Sequence, residues 1–488
     1  MDALAFEHHL TSPQGLGRFP AGAIAVTADG GACCDQIRFS ILIEGERVTD
    51  AGFEAHGCGA ATAAGSAAVS LVRGTPVLTA ARVGASQVAA ELGGLSAGKL
   101  HAAELAADAL ARALGAAVRQ RAELPRPTGG RTLVAMSGGV DSAVAALLSS
   151  ERGETVAVTL ELWADRENDA ERSCCSASAV SQARSLAHSL RLPHFTIDLQ
   201  REFRAGVVEP FIAGYAAGET PNPCIGCNGH VRLDAMLALA DRLGCDALAT
   251  GHYARVAELD DPRGPLLRRA ADAAKDQTYM LAALAPSSLA RMRFPLGELT
   301  KPEVRALAAE AGLPVAAKAD SQDLCFLAGT DRRRFLARHG GPGDRDGEVT
   351  DRAGKVLGRH RGQYQFTVGQ RRGLGVSAQE PLYVLDKDAG SNRVTVGPAA
   401  ALRTNRVALR GVRLHRAGSE LDRVKLRYRS KPLAATLLGD PQAGRHSRLE
   451  LELSDRADAA VPGQLACLMR GEQVIGWGTI TRIDSIVG

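Results

Sequence analysis

Hydrophobic and polar positions change period several times along the 488 residues. Ile37, Phe39, Ile41 and Ile43 alternate with polar residues, as in a half-buried strand, and Glu44-Gly45-Glu46 offers a turn into a second strand at Val48–Ala55. Alanine-rich stretches at 60–72 and 102–117 predict helices. The Pro, Gly and charge content of 119–130 predicts an exposed linker, which makes 1–118 a separable unit. Strands are expected at 132–136, 155–162, 194–199 and 246–250, interleaved with helices at 177–190 and 235–243. That alternation predicts a doubly wound parallel sheet with ligands at the carboxyl ends of its strands. Residues 285–346 turn helical and basic (Lys301, Arg305, Arg332, Arg333, Arg334), and after Gly347 short, glycine-punctuated strands predict a C-terminal β-barrel. The expected fold class is multidomain α/β: an α+β domain at 1–118, a linker at 119–130, the parallel-sheet domain at 131–284, a helical region at 285–346 and a barrel at 347–488.

With 45% apolar residues the chain can bury several cores, and 58 basic against 54 acidic residues neither require nor exclude a polyanionic partner. No stretch approaches the ~18 apolar residues of a membrane span, and the N-terminus lacks a basic-then-apolar leader, so a cytoplasmic protein with no membrane partner is expected. Several of the ten cysteines fall in close pairs, Cys33-Cys34, Cys174-Cys175 and Cys224 with Cys227. In a reducing compartment such pairs suggest thiolate chemistry or metal.

The chain's most informative stretch is Ala135-Met136-Ser137-Gly138-Gly139-Val140-Asp141-Ser142. A glycine turn between strand and helix aims backbone N–H groups and a helix dipole at one point, which suits phosphate. The spacing is not that of the ordinary P-loop, and no lysine follows it. Asp141 is placed to coordinate Mg²⁺, and Gly251 ends a strand on the same edge. Ser-Gly-Gly-x-Asp-Ser resembles the pyrophosphate loop of ATP pyrophosphatases, which cleave ATP to AMP and pyrophosphate while adenylating a substrate oxygen. Together with "VVEPFIAGYAAGETPNPCIGCN", "ATGHYARV", "KDQTYML", "FPLGELTKPEVR", "DSQDLCFLAG" and "VGQRRGLG", it resembles the tRNA-specific 2-thiouridylases from residue 131 to the C-terminus. The resemblance implies ATP-dependent adenylation of the wobble uridine's C2 oxygen, followed by sulfur transfer from a cysteine persulfide. It makes Cys227 the nucleophile and Cys325 the persulfide carrier, and adds Leu160 and Gly251 to the nucleotide site formed by 135–142. Asn222, Pro223, Cys224, Lys275, Asp276, Gln277, Arg427 and Tyr428 are its expected tRNA contacts, with Gly229 standing where a basic residue is usual. The implied partners are a tRNA with a wobble uridine and a cysteine desulfurase or sulfur-relay donor. Cys224 leaves two options open: a [4Fe–4S] cluster held with Cys227 and Cys325, or a metal-free resolving thiol.

Residues 1–118 have a different likeness. "CCDQIRFSILIEG", "GFEAHGCGAATAAGSAAVSLVRG" and "KLHAAELAADAL" resemble the U-type iron–sulfur scaffolds. That resemblance implies an iron or zinc site from Cys34, Asp35, Cys58 and His101. The family's third cysteine position is Ala102 here, for which Cys33 is a stand-in. Two other readings follow: an iron–sulfur scaffold or carrier, and an ATP pyrophosphatase that transfers nitrogen. The latter needs no paired loop cysteines.

Overall fold

The computed structural model describes residues 3–30, 34–164, 177–257, 260–320, 324–327, 330–458 and 460–483. Cys33, Cys174 and Cys175 lie outside them. Two compact units emerge, one formed by 1–200, 235–252 and 291–326, the other by 201–234, 253–290 and 327–488.

In the first unit, β1 (Ile24–Gly30), β2 (Asp35–Glu44) and β3 (Arg47–His56) form an antiparallel meander. The alternation in β2 holds: Ile37, Phe39 and Ile41 are fully buried and Arg38 is exposed. The helices Gly59–Val72 and Leu100–Arg121 cover this sheet, and their alanines allow close approach. β4 (Arg131–Ala135), β5 (Glu154–Glu161), β6 (His194–Asp198), β7 (Ala247–Ala249) and the strand Met292–Arg293 build the expected parallel sheet, in the order Met292–Arg293, β7, β4, β5, β6. β5 is buried continuously after Glu154, as a strand covered on both faces must be.

β6 is an edge strand, and the N-terminal domain closes that edge. The His194 N–H donates to the Ala81 carbonyl at 2.8 Å, and the Arg119 guanidinium donates to the Asp198 carbonyl at 3.0 Å. Gly115 lies so near β6 that a Cβ there would sit 2.0 Å from the Thr196 oxygen. Charges cross the same seam: Arg112, held to Asp108 of its own helix at 2.7 Å, reaches Glu161 at 2.5 Å, and Arg184 reaches Asp108 at 2.6 Å. Most of 119–130 is exposed, but the segment is anchored at several points. The helix runs on to Arg121, Ala122 and Leu124 are buried, and the Leu124 N–H donates to the Arg242 carbonyl at 2.8 Å. The turn at Gly244, with φ of +63°, admits the backbone of Leu124 and Pro125.

In the second unit, six strands close a barrel: Thr404–Leu414, Gly444–Ala457, Leu433–Leu437, Arg423–Lys425, Leu465–Arg470 and Gln473–Thr481, the last pairing back to the first with Ala408 opposite Thr481. Leu409, Leu451, Leu468 and Ile475 fill it. Arg255–Ala257 and Leu266–Arg268 extend the same sheet from far earlier in the chain. Residues 347–397 form a separate four-stranded sheet over Val349, Val384, Val394 and Val396, so the region expected to be a barrel holds two sheets. No helix among the described residues is long and apolar enough to cross a membrane.

Candidate adenylation and thiol sites

The phosphate loop has the form its sequence requires. β4 ends at Ala135, Gly138 takes the left-handed φ of +69°, and Gly139 is extended immediately before the helix Val140–Ser150. The Ser142 hydroxyl ties the turn, accepting the Ser137 N–H at 3.1 Å and donating to the Gly139 carbonyl at 3.0 Å. The first N–H groups of that helix and its dipole thus converge beyond the sheet's carboxyl edge. Gly251 acts by closeness: a Cβ there would sit 2.7 Å from the Asp141 carbonyl carbon and the Ser142 nitrogen, so only glycine lets the 250–251 edge close on the helix. Leu160 is buried near the carboxyl end of β5.

Two lysines that sequence reasoning missed reach this loop. Lys301 Nζ lies 2.7 Å from Asp141 Oδ1 and 2.7 Å from Asp320 Oδ1, and Arg305 lies 3.0 Å from the same Asp320 oxygen. Lys318 donates to the Gly138 carbonyl at 2.9 Å and to Gln182 at 2.5 Å. They come from 160 and 180 residues downstream of their partners, out of a stretch whose sequence reads only as helical and basic. The available signal was the strand Met292–Arg293, which returns the chain to the sheet just before Lys301 opens a helix capped by Thr300 and Glu303. Asp141 and Asp320 on one ammonium are an oxygen donor set that fits Mg²⁺.

The thiol loop lies in the second unit. Pro221 and Pro223 stiffen it, and the Asn222 side chain accepts the Cys224 N–H at 3.1 Å, starting the short helix Pro223–Gly226. A wide π-type turn follows over Cys227–Arg232, a geometry that recurs at functional sites. Cys227 is buried at 6% exposure and Cys224 is half-buried. Asn228 donates to the Met280 carbonyl at 3.2 Å, and Gly229 is buried where a Cβ would come 3.0 Å from Ala283 Cβ. Cys325 opens a 3₁₀ turn, Cys325–Leu327, and its side chain is outside those described.

The expected tRNA contacts divide into two groups. Burial raises the Tyr428 phenol, while the cationic Arg429 and Lys275 nearby pull it down. Tyr428 is stacked at a tilt 6.3 Å from Tyr279, and Arg427 beside it is exposed. Asp276 is a correction. Its side chain is 1% exposed; it accepts the Thr278 hydroxyl at 2.9 Å and the Ala270 N–H at 3.2 Å, and it lies 3.5 Å from both Arg269 and Lys425. A carboxylate so enclosed by donors braces the 270–278 turn and offers nothing to a phosphate backbone. Gln277 likewise accepts the Tyr253 N–H at 2.9 Å.

In the N-terminal domain, Asp35, Cys58 and His101 bring one ligand atom each within 4.8 Å of one another. The Cys58 thiol and N–H donate to Asp35 at 3.2 and 3.1 Å, which holds that carboxyl below its usual range, helped by His101 3.6 Å away. Gly57 makes room: at φ +139° a Cβ there would strike the Asp35 carboxylate at 2.0 Å. Cys34, at a left-handed φ of +51° in the β1–β2 turn, is not part of this group. Ala102 is fully buried, one residue along the helix from His101. A single thiolate with an imidazole and a carboxylate suits zinc or iron and leaves a ligand position open.

Three family models match this chain: the NifU-like N terminal domain over residues 5–123, the tRNA methyl transferase HUP domain over 130–329 and the tRNA methyl transferase PRC-barrel domain over 333–398. A "Bifunctional protein NifU/MnmA" from Rubrobacter xylanophilus is 43% identical over 98% of both chains. The chain belongs to the tRNA-specific 2-thiouridylase family. Members from Acidithiobacillus ferrooxidans and Chloroflexus aurantiacus, each named "tRNA-specific 2-thiouridylase MnmA", are 44% and 43% identical over 72% of this chain and 98% of their own. The remainder is the NifU-like domain that the Rubrobacter relative shares.

Proposed function

We propose that this protein is a tRNA-uridine 2-sulfurtransferase that uses ATP and Mg²⁺ to adenylate the C2 oxygen of a wobble uridine, then replaces it with sulfur. The observation that carries this reading is the phosphate loop, with Asp141, Lys301 and Asp320 at its mouth. The loop N–H groups bind the phosphates and Asp141, with Asp320, holds the ion that supplies charge compensation to the leaving pyrophosphate. The tRNA backbone meets Lys275 and Arg427, while Tyr428 and the Asn222–Cys224 loop receive the flipped base. Cys325 carries the sulfur as a persulfide, whose terminal sulfur attacks C2 with loss of AMP. Cys227 then attacks the Cys325 sulfur, which releases the product sulfur to the base and leaves a Cys227–Cys325 disulfide. A dithiol reductant returns that disulfide to two thiols by thiol–disulfide exchange, and a desulfurase or relay protein then reloads Cys325, in the cytoplasm where tRNA is found. Asp35, Cys58 and His101 hold zinc or iron in the NifU-like domain. A second use of the thiols, as a [4Fe–4S] site with Cys224, is tested by whether anaerobically purified protein contains iron. The direct test is mass spectrometry of tRNA nucleosides from a deletion strain: 2-thiouridine derivatives should vanish and return with the wild-type chain, but not with Cys227→Ser or Cys325→Ser. Undiminished thiolation without the protein would refute the assignment.

A further inference from the structure

The segment Tyr215–Thr220, directly before the thiol loop, is gripped by both C-terminal sheets. Gly218 turns the chain at φ +79°, and the Glu219 N–H closes on the Gly214 carbonyl at 2.9 Å. From the barrel side, Arg410 donates to both Glu219 carboxylate oxygens at 2.9 and 2.8 Å. The Thr220 N–H donates to the Pro462 carbonyl at 2.9 Å, and Gln464 donates to the Thr220 carbonyl at 2.6 Å. From the four-stranded sheet, Gln363 donates to the Tyr215 carbonyl at 3.1 Å. Lys387 is the centre of this grip. Only 1% exposed, its ammonium donates to the Phe366 carbonyl at 3.0 Å, reaches the Glu219 carbonyl at 3.4 Å and faces the Tyr215 ring at 5.9 Å.

A buried lysine held mainly by carbonyls and a ring is costly. Burial, with Arg332 and Arg482 nearby, drives its pKa down to about 7 against the pull of Asp386 and Glu219. A Met of similar length would fill the space without that cost, so a purely packing role does not account for the ammonium. What the ammonium adds is a fixed tie between residue 219 and residue 366. Beyond 220, Pro221 and Pro223 leave the chain little freedom, so a tie at 219 is carried to the thiol seven residues on from Thr220.

We propose that Lys387 is a positioning residue for the Cys227 thiol, so that the two C-terminal sheets aim the thiol loop as well as meeting tRNA. This rests on the reading of Cys227 as the thiol that releases sulfur. The test uses the full-length chain with Lys387→Met. Thiolation kcat should fall about 10- to 100-fold with KM for ATP and tRNA within about twofold, since misplacing a reacting group harms the chemical step alone. Iodoacetamide labelling of the Cys227 peptide, followed by mass spectrometry, should run about tenfold faster as the loop loosens. Arg410→Ala, which removes a surface tie to the same turn, should move both readouts the same way by less. Should Lys387→Met fail to fold, Arg410→Ala and Gln464→Ala decide. Unchanged kcat and unchanged Cys227 labelling in the folded variants would overturn the proposal. Altered labelling alongside full activity of Cys227→Ser would instead remove the role of Cys227 and leave the grip on its loop standing.

Discussion

Two charge clusters in the first unit look alike on paper and differ in what they face. At the domain seam, Asp108, Arg112, Arg184 and Glu161 spend their charges on one another, 2.5–2.7 Å apart. At the glycine loop, Asp141, Lys301, Asp320 and Arg305 lie 2.7–3.0 Å apart, but they sit beside helix N–H groups that no carbonyl of the helix can satisfy. The first cluster is complete and joins two domains. The second lies where the proposed function puts an anion with its metal. Proximity of opposite charges alone therefore does not mark a functional site; the unsatisfied backbone beside it does.

Removing the N-terminal domain separates the two most strongly. A chain of 131–488 bares the β6 edge and strips Glu161 and Arg184 of partners, so it should self-associate and unfold at markedly lower denaturant than the full chain. Relatives matched over only 72% of this chain lack that domain, so the question concerns this chain's own edge. A monomeric fragment of full stability would show the seam to be incidental. Next, Asp141→Ala should cut tRNA-dependent AMP formation at least about 100-fold through lost charge compensation. Its unfolding free energy should stay within about 1 kcal/mol, because Lys301 keeps Asp320. Lost stability with retained activity would turn the loop cluster into a second seam.

Arg112→Ala should do the reverse: a loss of about 3–5 kcal/mol from leaving Asp108 and Glu161 buried without it, with kcat for the surviving folded enzyme little changed. The smallest effect is a pH dependence. Burial, with Asp108 and Asp198 adding to it, outweighs Arg112 and raises the Glu161 carboxyl from 4.5 to about 7. A carboxyl raised on folding gives stability that is full below pH 4.5 and is lost as pH rises through 7. His188 and His194, lowered by burial, run the other way. The wild type minus Glu161→Gln difference in unfolding free energy should therefore decline from pH 4.5 to 7, and a flat difference would mean Glu161 is not held up.

The sequence made β2, β4, β5 and β6 legible to within about a residue or two, because alternation and continuous apolar runs are local signals. The strand–turn–helix over 131–150 was equally plain, since its glycines and Asp141 are contiguous. Lys301 and Lys318 were not, because a residue 160 positions away announces its place only through the strand that precedes it. Asp276 misled for a related reason: its neighbours Lys275 and Gln277 are half-buried in the same turn, while its own side chain turns fully inward to Arg269 and Lys425. The short strands at 255–268 carried too few residues to show a period, and only the closed barrel gives them a partner.

The measurement that bears most directly on the account is the stoichiometry of one turnover. Purified full-length chain, given tRNA, ATP, Mg²⁺ and a sulfide source, should form one AMP per 2-thiouridine, and none of either without tRNA. Thiolation without AMP, or AMP formed at the same rate in the absence of tRNA, would contradict it.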